Sequence, residues 1–258
     1  SAGTIESCIT SILGQSFDDF EVIIQDGQST DDTCDLVHAF GDPRLRLFSE
    51  RDRGVYDAMN RAIDKLSGRW VLFLGSDDRL YAKDTLASLK AFLDTALSAD
   101  LVYGNVITAG DSHWIKDGEI YMGKTKPAIL FGKNLCHQSI LYNRRIFDKG
   151  DRYNLKYPVL ADFDFNLHCF ARYEVVYTSQ VISVYSTGGF SSNTADELFA
   201  RDKWINIIRY YRYKLLSPSL VMYRRNFKSA AKKLLQNGDL RDRIAAISVY
   251  LYFKFVSW

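Results

Sequence analysis

The chain has 258 residues, with 33 Lys and Arg against 31 Asp and Glu and a formal charge of +2. Its 47% apolar and 25% charged residues exclude disordered, collagen-like and disulfide-scaffold chains and allow one sizeable core. No run reaches the ~20 apolar residues of a membrane-spanning helix, and Ser1 to Thr10 lacks the charged-then-apolar pattern of a secretion signal.

The charge is unevenly placed. Residues 201–258 hold 13 basic and 3 acidic side chains, a net of +10, so the first 200 carry −8. This divides the chain into an acidic body, 1–195, and a basic, aromatic-rich helical extension, 196–258. Such an asymmetry suits a docking element more than a nucleic-acid binder. Cys8, Cys34, Cys136 and Cys169 form no Cys-x-x-Cys pair and lie in apolar periodic segments, which reads as buried free thiols in a reducing compartment.

Along the chain, Ile5, Ile9, Ile12 and Leu13 make a helical stripe closed by Gly14. Phe20–Gln25 reads as a buried strand running into the turn-rich Asp26–Asp32, and a second helix extends to about Phe40. The cycle repeats with a strand over Arg44–Ser49, a loop at Glu50–Gly54 and a helix whose Val55, Met59, Ala62, Ile63 and Leu66 share a face. Trp70–Leu74 is apolar on both faces, as a covered central strand would be, and ends in Gly75-Ser-Asp-Asp78.

A helix over Lys83–Leu97 follows, then a strand at Leu101–Tyr103, hairpin material to Tyr121 and a strand over Leu135–Tyr142. Asp162–Ala171 reads as a helix, Glu174–Tyr185 as one or two strands, and Gly188–Asn193 as a loop able to act as a lid. The rest is helical, broken at Ser217-Pro218 and Asn237-Gly238. Alternating helices and strands imply an α/β fold with a mainly parallel sheet that becomes mixed after Asp100.

In such sheets ligands bind beyond the carboxyl ends of the strands. Those ends are Asp26, Glu50–Gly54 and Ser76-Asp77-Asp78, and carboxylates converging there repel unless a cation or hydrogen-bond donors stand between them. Adjacent Asp77 and Asp78 suit Mg²⁺ or Mn²⁺, which take few protein oxygens and keep positions for phosphate and water. Turn-forming or capping aspartates are the plainer alternative.

Together these segments resemble family 2 glycosyltransferases of the GT-A fold. The resemblance rests on Gln15-Ser-Phe-Asp-Asp-Phe-Glu-Val-Ile-Ile-Gln-Asp-Gly-Gln-Ser-Thr-Asp31, Arg51-Asp-Arg-Gly-Val-Tyr-Asp-Ala-Met-Asn60 and Phe73-Leu-Gly-Ser-Asp-Asp78. Cys136-His-Gln-Ser139 and Ala161-Asp-Phe-Asp-Phe-Asn-Leu167 look like the acceptor strand and catalytic helix of the bacterial exopolysaccharide and O-antigen branch. Five motifs in order over residues 1–195 make the likeness specific.

The resemblance implies inverting transfer from a nucleotide-sugar, UDP-linked by preference, to a saccharide or lipid-linked acceptor. Asp26 would meet the nucleobase, Arg53 the base or phosphate, Asp77 the ribose or sugar, and Asp78 the Mn²⁺ or Mg²⁺ on the diphosphate. His137 would line the sugar or approach the metal, and Asp162 would be the base. Asp164 would cap its helix.

The family's usual Glu before the base is Ala161 here, and its opening apolar strand is not in this sequence. The processive Gln-x-x-Arg-Trp element is also missing, with Arg201-Asp-Lys-Trp204 a faint echo, which points to single-sugar transfer. A non-catalytic sugar-nucleotide or carbohydrate-binding module of the same fold is the alternative. The basic extension suggests a cytoplasmic protein meeting an anionic membrane face, the aromatics between Tyr210 and Phe227 lying in the interface, or else a packing or homodimer contact.

Overall fold

The computed structural model describes residues 1–112, 115–189 and 194–255. The first half alternates α1 (Ile5–Leu13), β1 (Val22–Asp26), α2 (Thr33–Ala39), β2 (Leu45–Ser49), α3 (Val55–Ile63) and β3 (Trp70–Leu72). The apolar stripes point inward as their periodicity requires: α1 buries Ile5 and Ile9 against Val37 of α2, and α3 buries Tyr56, Met59, Ala62 and Ile63. β1 and β2 pair in parallel, from Val22 opposite Leu45 to Asp26 opposite Ser49.

Then come β4 (Arg79–Leu80), α4 (Thr85–Thr95), β5 (Leu101–Ala109), β6 (Ile120–Tyr121), α5 (Pro127–Leu130), β7 (Ile140–Asn143), α6 (Arg145–Asp148), α7 (Ala161–Arg172) and β8 (Val175–Ser186). They complete a six-stranded sheet in the order β3-β7-β5-β8-β4, with β6 on β5. The sheet is mixed, but it is not mainly parallel. Among the described residues only β1–β2 and β5–β8 are parallel pairs, while β3–β7, β4–β8, β5–β6 and β5–β7 are antiparallel.

Two further expectations change. Trp70–Leu72 is an outer strand, paired to β7 alone among the described residues. Its apolar character comes from cover on both faces: Val71 lies in the main core with Tyr56 and Met59, while Trp70 and Leu72 pack with Leu89 and Leu93 of α4. An edge strand between two helical layers has the composition of a central one. The strand anticipated over Leu135–Tyr142 begins only at Ile140, because His137–Ser139 is a 3₁₀ turn. Both Ser139 N–H and Oγ donate to the Cys136 carbonyl, at 3.0 and 2.8 Å, an arrangement that competes with the strand ladder.

Glu174–Tyr185 proves to be one strand, with the β5–β8 register shifting around Gly104. A Cβ at Gly104 would stand 2.7 Å from the Gln180 carbonyl oxygen, so the shift needs glycine.

The C-terminal segment folds as α8 (Glu197–Tyr211), α9 (Arg224–Asn237) and α10 (Leu240–Phe255), with 3₁₀ turns at Arg212–Leu215 and Pro218–Tyr223. These helices share a single core with the sheet. Phe131, 1% exposed, meets the rings of Tyr211 and Phe227 at centroid distances of 5.0 and 6.0 Å. The expected interfacial aromatics therefore turn inward: Tyr211 and Phe227 are buried, and the Tyr210 hydroxyl bonds Asp164. Tyr213 is the one that faces outward. Ring burial in the core outweighs an interfacial position.

Candidate active site

One three-residue turn holds two carboxylates from distant parts of the chain. Gln138 Nε2 donates to Asp78 Oδ2 at 2.8 Å, and the Nδ1 of the preceding His137 lies 3.4 Å from Asp162 Oδ2. The Ser183 hydroxyl fixes the turn from β8 by donating to the Gln138 carbonyl at 2.9 Å.

Asp162, in the first turn of α7, is 7% exposed. Its Oδ1 accepts from the Phe163 N–H at 2.7 Å and lies 3.0 Å from the Tyr56 hydroxyl. Its Oδ2 accepts from Asn134 Nδ2 at 3.0 Å. Such donors, with the positive end of its helix, offset the cost of taking this side chain out of water. The Tyr56 hydroxyl is also 2.8 Å from the Val159 carbonyl oxygen, so one proton serves two acceptors. Burial, then the charge of Asp162, pushes Tyr56 far above the usual phenol range and keeps it a donor.

Asp164 has a different task from capping. It accepts from Asn206 Nδ2 at 2.8 Å and from the Tyr210 hydroxyl at 3.0 Å, tying α7 to α8. Burial raises its carboxyl above the ordinary value despite those bonds.

The two aspartates after β3 have opposite settings. Asp78 is 2% exposed; its Oδ2 accepts from Gly75 N–H at 3.0 Å as well as from Gln138, and its Oδ1 from Ser186 N–H at 3.0 Å. Burial raises its carboxyl, the bonds from Ser186 and Gln138 pull the other way, and the neighbouring Asp77 charge adds to the rise. Asp77 is exposed and takes no hydrogen bond or ion pair among the described residues. Both fold back over Gly75, where a Cβ would stand 2.7 Å from Asp77 Oδ1 and 2.8 Å from Asp78 Oδ2. From below, Cys8 of α1 donates to the Gly75 carbonyl at 3.5 Å.

Asp26 and Arg53 occupy the pair of loops that follow β1 and β2. Asp26, 7% exposed, accepts from the hydroxyls of Ser29 and Ser49 at 2.5 and 2.6 Å and from Cys34 Sγ at 3.4 Å. Burial works to raise its carboxyl, but the bonds from Ser29, Ser49 and Cys34 prevail and hold it at about 2. The Arg53 side chain is 78% exposed, with Nε 3.6 Å from Asp57. Its backbone N–H is held by Asp57 at 3.0 Å, and the next residue's N–H by Asp52 at 2.9 Å. Helix α3 joins this pair of loops to Asp162 through Tyr56.

Thus Asp78, His137 and Asp162 meet at one turn, with Asp77 next to Asp78 in the chain, while Asp26 and Arg53 lie on the loops after β1 and β2. Sequence reasoning missed Tyr56, Asn134, Gln138 and Ser186 as their partners. Tyr56 and Gln138 stand inside the quoted motifs; Asn134 and Ser186 carried no signal. The four cysteines are free as expected, Cys8 and Cys169 buried and Cys34 and Cys136 only partly so. Most of the anticipated lid, from residue 190 onward, lies outside the described residues. A hollow of about 340 Å³ between α8 and α9 is lined by Lys156, Arg201, Arg209 and Lys233; the first two are paired with Asp202, at 2.5 and 2.9 Å, and Arg209 with Asp242 at 2.8 Å.

The family model described as "Glycosyl transferase family 2" matches residues 1–151. The chain belongs to this family. A "PGL/p-HBAD biosynthesis glycosyltransferase" of Mycobacterium tuberculosis is 41% identical over 207 residues, 78% of each chain. The "UDP-Glc:alpha-D-GlcNAc-diphosphoundecaprenol beta-1,3-glucosyltransferase WfaP" of Escherichia coli is 26% identical over 167 residues, 64% of this chain and 63% of that one. Among solved structures, S. aureus TarS 1-349 in complex with UDP-GlcNAc superposes with a TM-score of 0.63 at 16% identity, covering 96% of this chain and 86% of that one. This family 2 glycosyltransferase therefore has the GT-A fold, with helices continuing beyond the stretch that the family model matches.

Proposed function

We propose that this glycosyltransferase moves a single sugar, with inversion, from a UDP-sugar to a lipid-linked saccharide in the building of a bacterial surface glycan. The observation that carries the reading is the His137–Gln138 turn, which ties the carboxylate loop after β3 to Asp162. The activities named for the WfaP and mycobacterial relatives and the UDP-GlcNAc bound by TarS support the substrate classes.

In this reading the nucleotide lies against the loops carrying Asp26 and Arg53. Asp26 ties the loop after β1 to the end of β2 through Ser29 and Ser49, and the open Arg53 guanidinium meets the base or a phosphate. A divalent cation, Mn²⁺ or Mg²⁺, suits the donor set, because Asp77 offers an open hard-oxygen ligand and such cations keep places for diphosphate and water. When bound it neutralises charge on the departing diphosphate. Asp78 was the metal ligand expected from sequence, but three donors enclose it, so the reading gives that part to Asp77 and makes Asp78 the brace of the loop.

Asp162 takes the proton of the acceptor hydroxyl on Oδ2, where His137, at 3.4 Å, is the loosest partner. The acceptor oxygen bonds the anomeric carbon as the bond from that carbon to the diphosphate oxygen breaks, releasing UDP. As Asp162 loses its charge, the Tyr56 hydroxyl keeps its proton and turns its hydrogen bond to the Val159 carbonyl. Mass spectrometry of a nucleotide-sugar panel with Mn²⁺ and a polyprenyl-diphosphate-linked sugar tests this. UDP release matched by a heavier acceptor is expected, whereas donor binding without turnover would favour the non-catalytic module.

A further inference from the structure

We propose that the outer face of α10 docks the protein on an anionic lipid surface. Leu240, Ile244, Ile247, Leu251 and Phe255 are 74, 58, 47, 45 and 71% exposed. Their spacing of three and four residues puts them on one face of the helix. The opposite face, Ala246, Val249 and Phe253, is fully buried, and Phe253 stacks on Phe227 with ring centroids 5.0 Å apart. The core already has its side of this helix, so the outer apolar stripe has no partner among the described residues.

The charges beside the stripe identify the occupant. Arg243 and Lys254 lie on one flank of it and Arg241 on the other, all exposed. Helix α9 runs alongside, with Arg224 donating to the Lys254 carbonyl at 3.4 Å and Lys228 Nζ 6.0 Å from the Tyr250 ring centroid. From 224 to 255 eight basic residues stand against Asp239 and Asp242, and Asp242 is taken by Arg209 at 2.8 Å.

A second copy seated symmetrically on this face would bring like charges together. A leaflet of anionic lipid instead offers acyl chains to the stripe and phosphates to its flanks. At 1.5 Å per residue the helix is about 24 Å long, and none of the described helices is long and apolar enough to cross a membrane; α10 would lie in the interface plane. The sequence suggested docking by the whole basic extension, whereas the structure narrows it to α9 and α10 and excludes the buried tyrosines.

The proposal concerns a surface separate from Asp162, so its test does not need turnover. In co-sedimentation with vesicles of phosphatidylcholine and phosphatidylglycerol, the intact protein should bind at low salt, bind pure phosphatidylcholine at least about tenfold less, and release at 0.5 M salt. Ile247→Ser with Leu251→Ser, and separately Arg241→Glu with Lys254→Glu, should each lower binding by about tenfold or more. Melting temperatures should stay unchanged, because these side chains face outward. Absence of binding to phosphatidylglycerol vesicles overturns the proposal. So does light scattering that shows a dimer dispersed by the serine pair, which would make the stripe a contact between copies.

Discussion

Tyr56, near the start of α3, and Asp162, at the start of α7, are 106 residues apart in sequence, yet the tyrosine hydroxyl and the Asp162 Oδ1 are 3.0 Å apart. Because the same hydroxyl reaches the Val159 carbonyl, Tyr56→Phe leaves both oxygens short of a donor. It should cost about 1–2 kcal/mol in stability and lower kcat roughly tenfold, with donor KM little changed because the lost hydroxyl bonds Val159 and Asp162. A denaturation series and steady-state kinetics check it; an unchanged kcat would separate Tyr56 from the chemistry.

Asp162→Asn keeps the shape of the side chain and removes its capacity to take a proton. Donor binding, measured by calorimetry with UDP and Mn²⁺, should persist while turnover falls by about 10² to 10⁴. Turnover near the wild-type rate would exclude Asp162 as the base. Asp164 would not inherit the role, since Asn206 and Tyr210 occupy it.

The two aspartates after β3 should fail in different ways. Asp77→Ala removes an exposed, unbonded carboxylate: stability should move by no more than about 0.5 kcal/mol, while the gain in UDP affinity on adding Mn²⁺ should drop by about tenfold or more. Asp78→Ala strands the N–H groups of Gly75 and Ser186 and the Gln138 amide in a buried site, at a cost of roughly 3 kcal/mol. If Asp77→Ala keeps the full Mn²⁺ effect, the cation belongs elsewhere.

That difference between neighbours was beyond a sequence reading. Asp77 and Asp78 share a turn with the same local preferences, and what separates them is Ser186, 108 residues away, reaching Asp78 alone. The helices were readable because a 3.6-residue period of apolar positions is a local signal, as in Tyr56, Met59, Ala62 and Ile63 of α3. Strand order was not: Trp70–Leu72 has the composition of a covered strand, and its place at the side of the sheet follows from which strand finds it. The aromatics after Tyr210 misled for the same reason, since a tyrosine beside arginines serves an interface or a core equally well until Phe131 is placed against it.

Asp26 supplies a pH test. Its folded value of about 2 lies below the ordinary 3.8, so the unfolded chain binds the proton more readily. The stabilisation is then fully present above pH 4 and is lost as pH falls toward 2. A depression of this size corresponds to about 2 kcal/mol. Asp26→Asn should therefore melt earlier at pH 7, with a gap to wild type that narrows below pH 4 and nearly closes at pH 2. A gap independent of pH would mean that Ser29 and Ser49 bond the amide as well as they bond the carboxylate.

The helices after residue 195 should prove inseparable from the rest. Phe131 sits at the seam, its ring edge-on to Tyr211, Phe227, Tyr223 and Trp204, and Asp164 adds polar ties to Asn206 and Tyr210. Phe131→Ala opens a cavity among rings that are fixed from several sides and cannot collapse into it, so the loss should fall near 3–5 kcal/mol. Denaturant unfolding of this variant should remain a single transition, because sheet and helices bury one continuous core. Two transitions, with the helical signal lost first, would instead make residues 196–258 a unit of their own.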